Sequence, residues 1–142
     1  MKNMKDASIE MINNINDHYK QYMAAMDKSL TEITNVFFEN NPNVNTVYWG
    51  QYIPGFNDGD SCEFSMTDIN MSHDNWEDVT GPYHAGNRDD EVEFAYKELE
   101  DFKCLTSVIS NCEDHIRRAY GDNTFVRIHR GGVEREEYDC GY

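Results

Sequence analysis

Five cationic side chains stand apart in an otherwise acidic chain. Arg117 and Arg118 end an apolar-periodic segment, and Arg127, His129 and Arg130 follow shortly after. Converging guanidinium groups bind phosphate through paired N–H donors, so this grouping points to an anion pocket for a nucleotide or another phosphorylated ligand. The competing reading is structural. Arginines in the last turn of a helix complement its dipole, and Arg127, His129 and Arg130 face Glu134, Glu136 and Glu137 across a hairpin. A second constellation is Asn57-Asp58-Gly59-Asp60 with Glu63. An EF-hand loop needs oxygen ligands two and four residues before Asp58, and Phe56 and Pro54 stand there instead. These residues therefore read as a turn held by Asn and Asp side chains, or as a partner-binding loop.

Nothing else assembles a reactive set. His18, His73, His84, His115 and His129 do not fall at metal spacing, and there is no HExxH or paired CxxC. Cys62 with His73 and Asp74 has no feature that brings the three together. No GxSxG, GxGxxG or phosphate-loop motif occurs. The reading is of a non-enzyme, with no catalytic residue, metal or cofactor assigned.

The remaining candidates are contact residues. Tyr48, Trp49, Tyr52, Phe56, Trp76 and Tyr83 exceed what one face of one hairpin can bury. Aromatics beside the acids Asp58, Asp60, Glu63, Asp74, Glu77 and Asp78 have the composition of a protein interface. Their alternative is packing beneath helices and a long loop.

The charge is unevenly placed. The chain of 142 residues carries a net charge of −15. Residues 1–28 hold four Lys and four acids, whereas residues 29–87 hold nine acids and no Lys or Arg. Residues 88–142 hold fourteen acids and eight bases. Such a field repels nucleic acid and anionic membrane surfaces and favours basic protein partners; simple solubility is the blander account. With 39% hydrophobic and 13% aromatic residues the chain can bury a core. No apolar run reaches membrane-spanning length, and the N-terminus lacks a signal-peptide core. The expected location is therefore cytoplasmic, and in that reducing compartment Cys62, Cys104, Cys112 and Cys140, which lack metal-ligand spacing, read as reduced structural thiols.

These residues must be positioned by four elements in one domain, 1–142. Residues 6–39 carry three apolar rows, led by Ile12, Tyr19, Met26 and Ile33, and predict a long helix ended by Asn40-Asn41-Pro42. Such a helix is longer than a domain of this size. Either it breaks near Met23-Ala24-Ala25, or its apolar face meets a second copy to form a homodimer. Residues 46–67 predict a hairpin whose first strand alternates Val47, Trp49, Gln51 and Ile53 with Tyr48, Gly50 and Tyr52, as a half-buried strand does. Residues 68–89 read as a loop with at most one short helical turn. Residues 90–120 predict a second helix with a stripe through Leu99, Phe102, Ile109, Cys112, Ile116 and Tyr120, capped by Gly121. Residues 124–140 predict a second hairpin with a primed turn at Arg130-Gly131-Gly132-Val133. The expected fold is α+β: helix–hairpin–helix–hairpin, a four-stranded antiparallel sheet with two helices packed on one face.

Residues 49–64, WGQYIPGFNDGDSCEF, also resemble a motif W-x-Q-Y-x-P-x-F-N-D-G-D-x-C-x-F found in small uncharacterised proteins of tailed bacteriophages and some bacteria. The last six residues, EYDCGY, match more loosely. The resemblance implies a phage-type accessory protein acting in a bacterial cytoplasm. Combined with the charge, it leads to a functional expectation. The chain is a non-catalytic inhibitor of a host defence or nucleic-acid-handling protein. It binds through its acidic, aromatic surface, in the extreme as a DNA mimic. The alternative is a nucleotide-binding protein or small enzyme built on Arg117, Arg118, Arg127, His129 and Arg130.

Overall fold

The computed structural model describes residues 3–53, 64–84 and 94–138. Its elements are α1 (Met4–Asn40), β1 (Thr46–Tyr52), β2 (Ser65–Met66), β3 (Asn70–Ser72), α2 (Tyr96–Asn111), α3 (Glu113–Tyr120), β4 (Thr124–His129) and β5 (Gly132–Glu137). A single 3₁₀ turn lies at Trp76–Asp78. The α+β class matches the expectation. Among the described residues the antiparallel sheet has five strands where four were expected, and there are three α-helices rather than two.

The helix α1 is unbroken over 37 residues, about 55 Å in length. Its N-cap is Asn3, whose side chain accepts the Asp6 N–H at 2.8 Å. No break occurs at residues 23–25. The buried residues of α1, Leu30, Thr34, Phe37 and Phe38, all lie in its C-terminal half. The last turn of α1 contains no basic residue to complement the carbonyl end of its dipole. Two distant cations serve it. Arg130 Nη2 donates to the carbonyls of Phe38 at 3.3 Å and Pro42 at 3.1 Å, with its guanidinium 5.0 Å above the Phe38 ring. Lys97 donates to the carbonyl of Asn40 at 3.2 Å.

The segment expected as one helix over 90–120 starts at Tyr96 and breaks at Cys112, so α2 and α3 are separate. Glu98 reaches back to the Ala95 N–H at 2.8 Å and starts α2. The acids Asp89, Asp90, Glu91 and Glu93 lie outside the described residues. The buried stripe runs through Phe102, Leu105 and Ile109 to Ile116, Ala119 and Tyr120, while Leu99 stays partly exposed. Gly121, at φ +93°, closes α3 as expected, its N–H donating to the Arg117 carbonyl.

Strand β1 is the middle of the sheet. Along one edge it pairs with β4, in register Val47↔Ile128, Trp49↔Val126 and Gln51↔Thr124. Along the other it pairs with β2 at Gln51↔Met66 and with β3 at Val47↔Met71. The register slips by one residue between these two short strands, so residues 65–72 form one strand interrupted by a bulge. The bulge lets both Met66 and Met71 join the helix-side core, although their numbering has opposite parity. The loop expected over 68–89 therefore contributes a strand. The β4–β5 turn is not of the primed type, because the described positive φ values fall at Gly121 and Gly132, and neither Arg130 nor Gly131 has one.

Both faces of β1 are covered, which corrects the expectation of a half-buried strand. Val47, Trp49 and Gln51 face the helices, together with Val126 and Ile128. Tyr48 faces the other way with Phe125, beneath Val79. A buried polar chain crosses the helix side. The Trp49 indole N–H donates to Gln51 Oε1 at 3.0 Å, and Gln51 Nε2 donates to the Gly121 carbonyl at 2.7 Å. Replacing Gln51 by Leu leaves a buried donor and a buried acceptor without partners. It should cost about 2–3 kcal/mol in urea unfolding.

On the same side, Arg135 binds the Asp27 carboxylate at 2.7 Å and lies 5.2 Å above the Tyr120 ring, tying β5 to α1. Burial, and then the neighbouring Asp27 carboxylate, push the Tyr120 phenol well above its ordinary 10.0. A raised phenol pKa contributes stability in full below the unfolded value and loses it as pH rises beyond. Unfolding free energy should therefore fall above about pH 10, and Tyr120→Phe should flatten that part of the pH profile.

Candidate partner-binding surface

The candidate surface is the loop layer laid over the second face of the sheet. Sheet geometry alone does not explain why residues 73–84 lie there, because the loop has few apolar side chains. Arg127 supplies the reason. It stands on β4 opposite Glu134, projects to the loop side, and is only 6% exposed. Its Nη1 donates to the carbonyls of Trp76 and Val79, each at 3.2 Å, the two ends of the 3₁₀ turn. Its Nη2 meets Glu136 Oε1 at 3.2 Å. The guanidinium lies 5.1 Å from the centroids of both the Trp76 and Phe125 rings.

Other contacts fasten the rest of the loop. The Trp76 ring stacks on His129 at 5.2 Å, and His129 Nε2 meets Glu134 at 3.1 Å. His84 Nε2 meets Asp74 Oδ2 at 2.8 Å, and the buried Tyr48 hydroxyl donates to the His84 carbonyl. Thr46 Oγ1 donates to the Asp74 carbonyl at 2.8 Å. Pro82 crosses so close to Gly50 that a Cβ there would stand 3.1 Å from its ring and from Tyr138. Glycine at 50 is what lets the loop descend onto the sheet.

The outer side of this layer is acidic. Glu77 and Asp78 are exposed in the turn that Arg127 holds from below. Asp74 is half exposed beside His84, and Asp68 is exposed at the bulge. Tyr83, in the same loop segment, presents 66% of its surface.

The residues singled out from sequence fall into three groups. Glu77 and Asp78 are exposed, and Asp74 is partly so. Tyr48 and Trp49 are fully buried and cannot meet a partner; Tyr52 packs edge-on against Tyr138, and Trp76 is clamped between Arg127 and His129. Phe56, Asp58, Asp60 and Glu63 lie outside the described residues. Sequence reasoning missed Tyr96, which is 78% exposed at the start of α2.

The arginine grouping does not converge. Arg117 and Arg118 sit beyond the Thr124 end of β4, and Arg130 beyond the His129 end, about 20 Å along the strand. Arg117 bonds Asp122 at 2.8 Å and lies over Phe64, and Arg118 shares its open hollow with Asp114 and Asp122. Arg127 and Arg130 are spent on the loop carbonyls and on the end of α1. No group of three or more His, Cys, Asp or Glu arranged to hold a metal occurs among the described residues. No described helix is long and apolar enough to cross a membrane. A separate apolar groove of about 320 Å³ lies between α1 and α2, lined by Ile33, Val36, Phe37, Leu105 and Val108.

No family model matches the chain, and neither does any curated protein or any solved structure.

The clamp makes a specific prediction. Arg127→Met keeps the apolar stem but strips the Val79 carbonyl of its guanidinium donor and leaves the Trp76 carbonyl with only the Val79 N–H. It should cost about 2–4 kcal/mol in denaturant unfolding. Trp76 fluorescence should shift to the red as its ring leaves the cationic sandwich. Arg118→Met, which removes an exposed cation, should leave both readings unchanged.

Proposed function

We propose that the chain is a non-catalytic binding protein whose exposed carboxylates dock on a basic surface of a protein partner. One observation carries this reading: four arginines are engaged by the chain's own groups, while the carboxylates of the loop layer face outward. Arg127, Arg130, Arg135 and Arg117 are each engaged by the chain's own carbonyls or carboxylates. Glu77, Asp78, Asp68 and half of Asp74 remain facing solvent. These carboxylates belong to a chain with a net charge of −15, whose field reaches outward from them. Tyr83, in the same loop segment, is an aromatic anchor of the kind that supplies affinity once the field has steered the approach.

The motif in residues 49–64 is the ground for proposing the setting. A phage-type protein of this composition acts in the bacterial cytoplasm on a host defence or nucleic-acid-handling protein. The carboxylates then occupy a surface that would otherwise bind DNA. Nucleic acid itself and anionic membranes are repelled by the same field. The nucleotide-binding alternative loses its ground, because Arg117 and Arg118 stand a strand's length from Arg130, and Arg127 is buried.

Capture from bacterial lysate on the immobilised protein, eluted in rising salt, tests the reading. The expected result is a basic protein released by moderate salt. The double substitution Glu77→Lys with Asp78→Lys should weaken its retention at least tenfold while leaving the melting temperature unchanged. Equal retention by the variant at the same salt contradicts the proposal.

A further inference from the structure

The N-terminal half of α1 is almost wholly exposed, although its sequence is written for packing. Every residue from 4 to 21 is exposed apart from a partly covered Ala7. The Tyr19 hydroxyl donates to the Ala119 carbonyl at 3.4 Å, and Tyr22 meets His115. Before these contacts the helix runs on for about 22 Å, fifteen residues at helical rise. An isolated helix of that length is marginal in water and depends on burial of an apolar face.

The face is present. Ile12, Ile15, Tyr19, Tyr22 and Met26 recur at alternating spacings of three and four. This is one continuous stripe with Leu30, Ile33 and Phe37, which pack against the sheet farther along. Over the overhang the stripe follows the seven-residue repeat of a coiled-coil seam. There it lies open: Ile12 is 58% exposed, Ile15 55% and Met4 80%.

We infer that this overhang pairs with the same segment of a second copy, in antiparallel orientation. Charge selects the occupant. Residues 1–28 hold four Lys and four acids, so two overhangs meet without net repulsion, whereas the remainder of each chain carries the whole −15. A basic partner gains nothing from a neutral segment, and a membrane-surface helix needs a Lys- and Arg-rich polar face that this one lacks. Orientation follows from the same field. A parallel pair would bring two strongly acidic bodies side by side, and an antiparallel pair sets them at opposite ends. The area suffices. Met4, Ile9, Met11, Ile12, Ile15 and Tyr19 each leave on the order of 100 Å² open, so pairing removes on the order of 1,200 Å², the lower bound for a specific interface. The dimer would present two acidic surfaces pointing apart, so that a multivalent partner is held by both.

Analytical ultracentrifugation of the full chain tests this. The expected mass is twice the 16.6 kDa of one chain at micromolar concentration. Ile12→Asp with Ile15→Asp should return the mass to 16.6 kDa without lowering the melting temperature of the body, since both side chains are exposed. Asn13→Lys, on the opposite side of the helix, should leave the dimer intact. A wild-type mass of 16.6 kDa up to about 100 μM, or a double variant that still dimerises, overturns the proposal. Small-angle scattering should show two bodies separated by the paired helices; two bodies in contact overturn the antiparallel arrangement. None of these readings depends on the acidic partner.

Discussion

Strand β1 is buried on both faces and paired on both edges, and the rest of the structure is arranged to make that tolerable. One face is met by the C-terminal half of α1 and by α2 and α3, through Trp49, Val47 and their neighbours on β4. The other face carries Tyr48, and no described α-helix covers it. A loop must do so, and a loop brings carbonyls that need donors. Arg127 resolves both demands from within the sheet. Its stem packs on Phe125, and its N–H groups satisfy the ends of the Trp76–Asp78 turn. The covering layer thereby becomes a fixed surface, and its charged tips are held in place.

The same economy of cations shapes the electrostatics. Arg130 stands in for the basic residue missing from the last turn of α1, and Arg135 ties β5 to Asp27. A chain with few bases has set Arg127, Arg130 and Arg135 where the fold needs a donor. The acids of the 3₁₀ turn are left to the solvent. Structural use of arginine and an acidic exterior are one arrangement seen from its two sides.

Much of the fold was legible from period and punctuation. The alternation in β1 and β4, the stop at Asn40-Asn41-Pro42 and the glycine after α3 each carry a local physical signal. What escaped the sequence was decided at a distance. Three residues of β3, with Met71 the only apolar one, are too short to show a period. The stripe of α2 runs through Leu105 rather than Leu99, because the break at Cys112 changes the phase of the helices. Burial of Tyr48 and Trp49 depends on a covering loop whose own sequence looks polar. The arginines looked like a cluster because they are close in number, but a strand laid between them keeps its ends apart. Glu77 and Asp78 were legible as exposed acids. The buried guanidinium that holds them was not.

The central claim is that residues 73–84 are an integral layer of the fold. Native-state hydrogen exchange of the wild-type protein tests it most directly. The Asp78 and Val79 amides, bonded to the Asn75 and Trp76 carbonyls above Arg127, should exchange with protection approaching that of the β4 amides. Exchange of these amides at the rate of an unstructured loop, with β4 protected, would contradict the account.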